Sequence, residues 1–175
     1  MLWKWGYSSY DQDDRLRVSD VRKPPPPWRL TGVYAVGNLH YVGYAPDSDL
    51  ILVVSSTGRS VMDCLAGERI ARCYDEDFEL DEETLICRGI DPIPNDIRVA
   101  GLQGGQLTTT TQDGWEMMRD EYGWFDPFIF IRKPGGGSTK IAWITACSLR
   151  AFGFSETGKS FVIATSCDLT VFNRD

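Results

Sequence analysis

From Trp28 onward, short apolar runs alternate with turn-forming clusters, a pattern that predicts a succession of β-strands. Strands are expected at residues 30–36, 39–45, 50–55, 60–65 and 69–74. The breaks fall at Gly37-Asn38, at Pro46 to Asp49, at Thr57-Gly58 and at Ala66 to Glu68. Proline presets φ in such turns, and Asp and Ser bond their own backbone. Residues 50–54 (Leu-Ile-Leu-Val-Val) hold no polar position, as expected of a strand covered on both faces. Further strands are expected at 97–102, 107–111, 115–119, 128–132, 140–145, 149–154, 160–165 and 169–173, with an extra one at 84–88. Asp113-Gly114 is a hairpin signal, and Gly135 to Thr139 reads as a flexible hairpin loop. The predicted class is all-β.

The stretch 41–58 returns in altered form at 151–167. Gly43 matches Gly153, Tyr44 matches Phe154, residues 51–54 match 161–164 and Ser56 matches Ser166, each pair 110 residues apart. Meanders of four strands recurring at roughly 55 residues have the spacing of propeller blades, and a chain of 175 residues holds about three of them. The last unit is one strand short, and residues 30–36 are a spare strand ahead of the first. The N-terminal strand is therefore expected to complete the last blade, leaving no free edge. A curled sheet or barrel of the same meanders is the alternative. Residues 28–175 read as one β domain, preceded at 1–27 by a strap with Trp3 and Trp5 and by an extended lead-in, Lys23-Pro-Pro-Pro-Pro27.

Val42-Gly-Tyr-Ala-Pro-Asp47, Val61-Met-Asp63, Gly67-Glu-Arg69, Ser155-Glu-Thr-Gly-Lys159 and Leu169-Thr-Val-Phe172 resemble the blades of WD-repeat-like propellers, over residues 41–74 and 149–175. No Gly-His pair stands in the usual place, and Met62-Asp63 and Phe172-Asn173 stand where that family has Trp-Asp. The resemblance implies a rigid interaction platform rather than a catalyst.

Charge narrows the function. A net charge of −7 argues against nucleic acid or an anionic membrane as ligand. No apolar run approaches the ~20 residues that span a bilayer, and the N-terminus shows no signal-peptide pattern. Cys64, Cys73, Cys87, Cys147 and Cys167 are odd in number and form no C-x-x-C pair, so reduced thiols in a cytoplasmic protein are expected. His40, the single histidine, lies inside a predicted strand and is expected to be structural. Gly135 to Lys140 lacks the glycine before lysine that a phosphate-cradling loop needs. No catalytic residue, metal site or cofactor is expected. A hydrolase with paired carboxylates would need a spatial pairing that no motif indicates.

Two stretches suit binding. Asp75, Glu76, Asp77, Glu79, Asp81, Glu82 and Glu83 place seven acids in nine residues, equal to the whole net charge, and such a patch steers a basic partner. Met117, Met118, Tyr122, Trp124, Phe125 and Phe128, interspersed with Arg119, are residue types that interface cores favour. The expectation is a non-enzymatic protein-binding module. In overall character it resembles bacterial toxin-immunity proteins. That resemblance implies a cognate, basic toxin domain as partner, with acids of residues 75–83 mimicking phosphate and Arg119, Tyr122 and Trp124 adding contacts. A general propeller-like scaffold or ligand-binding module is the alternative.

Overall fold

A computed structural model of the chain describes residues 20–21, 23–75, 79–120 and 126–175. In chain order its strands are β1 (Asp20–Val21), β2 (Arg29–Ala35), β3 (Leu39–Tyr44), β4 (Leu50–Ser55), β5 (Gly58–Asp63) and β6 (Glu68–Cys73). There follow β7 (Leu80–Asp81), β8 (Ile86–Arg88), β9 (Asp96–Arg98), β10 (Ala100–Gly101) and β11 (Glu116–Arg119). The last are β12 (Phe128–Arg132), β13 (Ser138–Trp143), β14 (Leu149–Phe154), β15 (Ser160–Thr165) and β16 (Asp168–Asn173). They make four antiparallel sheets: a first, β10-β3-β4-β5-β6; a second, β7-β8-β9; a third, β1-β13-β12-β11; and a fourth, β14-β15-β16-β2. The described residues contain no helix, hence none long and apolar enough to cross a membrane.

The internal repeat extends to hydrogen-bond register. Gly43 pairs with Leu52 and Tyr44 with Ile51; 110 residues on, Gly153 pairs with Val162 and Phe154 with Phe161. Leu50 to Asp63 and Ser160 to Asn173 pair at the same offset. Even the β-bulges recur, at His40 between Leu39 and Tyr41 and at Arg150 between Leu149 and Ala151. β2 occupies in the fourth sheet the place that β6 holds in the first. Met62 faces Arg69 and Phe172 faces Leu30, Ser60 faces Arg72 and Thr170 faces Val33, and a shift follows Val61 and Val171 alike. The N-terminal strand thus completes the last sheet, as the missing strand there predicts.

The sheets lie face to face in the order third, fourth, first, second. Met117, Ile129, Ile131 and Ile141 of the third pack with Phe154, Phe161, Ile163 and Phe172 of the fourth. Val162, Ala164, Leu169 and Val171 of the fourth pack with Val42, Ile51, Val53 and Met62 of the first. Tyr41, Leu52, Val54 and Val61 of the first pack with Cys87 and Ile97 of the second. Period-2 alternation sends successive side chains of β4 into two different cores, which explains its unbroken apolar sequence.

Residues 96–111 bind all four sheets. β9 pairs with β8 and β10 with β3. Phe154 N–H then donates to Thr108 O (2.7 Å) and Met117 N–H to Thr109 O (2.8 Å). The segment passes so close to β3 and β14 that glycine is required there. A Cβ on Gly43 would run into the Arg98 carbonyl and the Ile97 side chain, and one on Gly153 into Leu107 and Thr108. This sharing of partners also explains why 107–111, expected as a strand, has only isolated bridges at Thr108 and Thr110.

Several expectations are corrected. There are four sheets where about three meanders are expected, because the short second sheet is built from the acidic and proline-containing stretch between residues 80 and 98. The proline run is not extended throughout, since Trp28 N–H turns back to the Pro25 carbonyl (3.1 Å). Cys147 and Cys167 are joined in a disulfide, whereas reduced thiols are expected. The strap with Trp3 and Trp5 lies outside the described residues.

The chain end is fastened at Asp113. Its carboxylate accepts from both terminal nitrogens of Arg174 (2.6 and 2.9 Å) and from the Thr111 hydroxyl (2.6 Å). These bonds, Arg174's foremost, hold the Asp113 carboxyl well below the usual carboxylate range. A depressed folded-state pKa contributes stability above the unfolded value of about 4, and that contribution is lost as pH falls toward the folded value. The side chain is 53% exposed, so screening leaves about 0.5–1 kcal/mol. Asp113→Asn should be less stable than wild type by that amount at pH 7, and the gap should close below about pH 4 in urea titrations.

Candidate partner-binding surfaces

The acidic run folds into a hairpin on the second sheet. Leu80 pairs with Cys87 and Asp81 with Ile86, and the turn between them closes on Leu85, which takes a positive φ of 56°. Asp81 holds this turn, its carboxylate accepting from the backbone N–H of Glu83 (2.9 Å) and of Thr84 (3.1 Å). The Thr84 side chain and these amides, in that order, lower its pKa by favouring the ionised form. Glu82 accepts from the Tyr41 hydroxyl (3.2 Å) of the inner strand β3. Burial first, and Glu82 second, raise the Tyr41 pKa, so this hydroxyl stays a donor. Glu79 lies 3.9 Å from Arg88. With Asp81 and with Asp96 of β9, these two line a hollow of about 520 Å³.

The hairpin therefore holds Asp81 and Glu82 in place by hydrogen bonds. Asp75, Glu79, Asp81, Glu82 and Glu83 are all exposed. Glu76 and Asp77 lie outside the described residues. Asp96 adds a carboxylate from a strand remote in sequence, and Tyr41 supplies an anchor from another sheet. Neither is visible in the acidic run itself, and only the pairing of β8 with β9 brings Asp96 there.

The second predicted surface divides. Met117 points into the core between the third and fourth sheets and is 3% exposed. Met118 and Phe128 sit on the other face. There Phe128 stacks on Trp143 (centroids 5.5 Å apart) beneath Lys140 Nζ (3.6 Å), and Arg132 donates to Glu116 (3.0 Å) and to the Met118 sulfur (3.2 Å). Tyr122, Trp124 and Phe125 lie outside the described residues. Arg119, exposed at the end of β11, borders a hollow of about 230 Å³ with Arg150. Arg150 in turn donates to the Leu39 carbonyl (3.0 Å) and acts on the Tyr41 hydroxyl. Arg119 and the acidic hairpin are thus separate features, with Arg150 between them.

His40 occupies the bulge in β3, half-buried, and among the described residues its ring makes no hydrogen bond; Tyr41 is its neighbour, with ring centroids 6.4 Å apart. Gly135 to Gly137 form the exposed turn between β12 and β13. Among the described residues no three His, Cys, Asp or Glu side chains are grouped to hold a metal ion. The sequence matches no protein-family model and no curated protein.

Proposed function

We propose that this is a propeller-like, non-catalytic binding module that captures a basic protein through the β7–β8 hairpin. The propeller reading draws support from sheet order. The facing order third, fourth, first, second is chain order in cyclic form, as in a ring whose last unit borrows its outer strand from the N-terminus.

The observation that carries the binding reading is the fixed placement of the acids. Asp81 closes the turn and Glu82 is tied to Tyr41, so ordering the turn costs little when a partner docks. The hollow lined by Glu79, Asp81 and Asp96 fits a lysine or arginine side chain. A partner that itself binds phosphate or nucleic acid would present such side chains, and the immunity-type reading, a cognate toxin domain blocked by carboxylates in place of phosphate, is the form of this proposal we favour.

Glu79→Gln/Glu83→Gln removes two charges while sparing the turn and the Tyr41 anchor. Affinity capture from the native lysate, at low and high salt, is expected to yield one stoichiometric basic protein. The double variant should bind it with an association rate lowered about tenfold at low salt and with a flatter salt dependence. A partner bound equally by wild type and variant, with equal salt dependence, would remove the hairpin from the interface.

A further inference from the structure

A second surface carries the opposite charge. Arg69 and Arg72 are three residues apart, a spacing that places two side chains on opposite faces of a regular strand. In β6 they share a face, because the ladder shifts between Val61 and Met62 and leaves Ile70 as the extra residue. Arg69 lies opposite Met62 and Arg72 opposite Ser60. Met62 belongs to the core between the first and fourth sheets, so both arginines are aimed toward β2.

Between β2 and β6 lies a cleft of about 470 Å³. Its floor is apolar, formed by Val36, Val53, Met62 and Leu169, and its walls bring the hydroxyls of Ser55, Thr57 and Ser60. Among the described residues no Asp or Glu lines it, in a chain with 25 of them. Glu68, at the start of β6, acts on the Tyr34 hydroxyl at one end, where that hydroxyl donates to the Gly67 carbonyl (2.7 Å) and closes the cleft. Arg72 is already oriented, donating to Thr57 Oγ1 (3.0 Å) with its guanidinium 4.5 Å from the Tyr74 ring centre. Arg69 makes no ion pair or hydrogen bond among the described residues. Arg59 borders the cleft too, but its guanidinium donates to the Arg88 carbonyl (2.6 Å) on the second sheet.

The internal repeat shows that the fold does not demand these arginines. At the matching places of β2 stand Leu30, opposite Phe172, and Val33, opposite Thr170, both exposed. The same backbone, bulge included, accepts two apolar residues there. The cationic pair of β6 is thus a feature of its sequence and not of the backbone it shares with β2.

We propose that the β2–β6 cleft binds a small organic anion, with its oxyanion head on Arg69 and Arg72 and its apolar body on Val53 and Met62. A cleft of this volume matches small-molecule sites in general, and the arginine fork suits a phosphate or carboxylate. The site is separate from the acidic hairpin, and its failure would leave the hairpin proposal standing.

Calorimetric titration of the full chain with phenyl phosphate, benzoate and inorganic phosphate tests it. Phenyl phosphate or benzoate should bind saturably, and the comparison between them tells which oxyanion the arginines prefer. Inorganic phosphate, lacking the body, should bind at least about tenfold more weakly than phenyl phosphate. Arg69→Leu/Arg72→Val, which installs the residues of the matching strand, should weaken binding at least about tenfold with an unchanged melting temperature. Should that variant fail to fold, Arg69→Gln/Arg72→Gln carries the same test. Absence of saturable binding up to roughly 10 mM of all three probes would overturn the proposal, as would equal binding by the variants. Equal affinity for phenyl phosphate and inorganic phosphate would overturn the apolar half of it.

Discussion

Phe161→Ala is expected to lower the unfolding free energy by about 4 kcal/mol, read from urea denaturation midpoints at constant slope. Phe161 is fully buried. It stacks on Phe172 (centroids 4.4 Å, 16° between planes) and meets Trp28 edge-on at 4.9 Å and Phe154 at 5.5 Å. Trp28 continues the cluster to Trp115 at 5.8 Å. The lost aromatic contacts and the cavity both count, because rings fixed on β14, β15 and β16 by ladder hydrogen bonds cannot collapse into the gap. At the matching place in the first sheet stands Ile51, also fully buried but without an aromatic stack. Ile51→Val should cost only about 1 kcal/mol. A Phe161→Ala loss under about 2 kcal/mol would show that this core is loosely packed and that the third and fourth sheets are held together elsewhere.

The fourth sheet shows why so much of this fold is legible. Its strands are of equal length, six residues each for β14, β15 and β16, and each turn is marked by glycine or by Ser, Thr and Asp. Local signals suffice there. The missing outer strand could be inferred because a three-stranded remnant at one end and a spare strand at the other are complementary. The second sheet gives no such signal. β7 has two residues and β8 and β9 three each, so alternation has no length over which to declare itself. The strand expected at 97–102 is found as β9 and β10, whereas 107–111 departs from expectation for another reason: its partners change every few residues, between β14 and β11.

The binding surfaces divide on the same ground. Exposure of the acidic run follows from its composition, and the turn at Asp81 rests on local bonds, but the use of Glu82 as anchor depends on Tyr41, which alternation alone marks as core. Arg69 and Arg72 look like opposite-face residues until the bulge at Ile70 is placed. That bulge has a counterpart at Thr31 in β2, visible only once the two strands are aligned by ladder register.

Reduction of the Cys147–Cys167 disulfide should cost about 3 kcal/mol, the loop-closure value for a sequence separation of 20. The bond ties the β13–β14 connection to the turn between β15 and β16, so it clips the third sheet to the fourth beside the core that Phe161 anchors. Spacing did not disclose this pair, because neither cysteine lies in a motif and their approach depends on the fourth sheet being assembled. The remaining thiols behave differently. Burial pushes Cys64 up to about 12 and Cys87 up to about 11, so neither forms the thiolate that attacks a disulfide or an alkylating reagent near neutral pH. Cys73 is half-buried. Unfolding titrations with and without reductant should therefore differ by about 3 kcal/mol for wild type and not at all for Cys147→Ser/Cys167→Ser, which should match the reduced protein. Thiol labelling of the native oxidised chain should modify Cys73 alone among the five cysteines, rising to Cys73, Cys147 and Cys167 after reduction. Labelling of Cys64 or Cys87 at a comparable rate would mean that the inter-sheet cores open far more readily than their close packing allows.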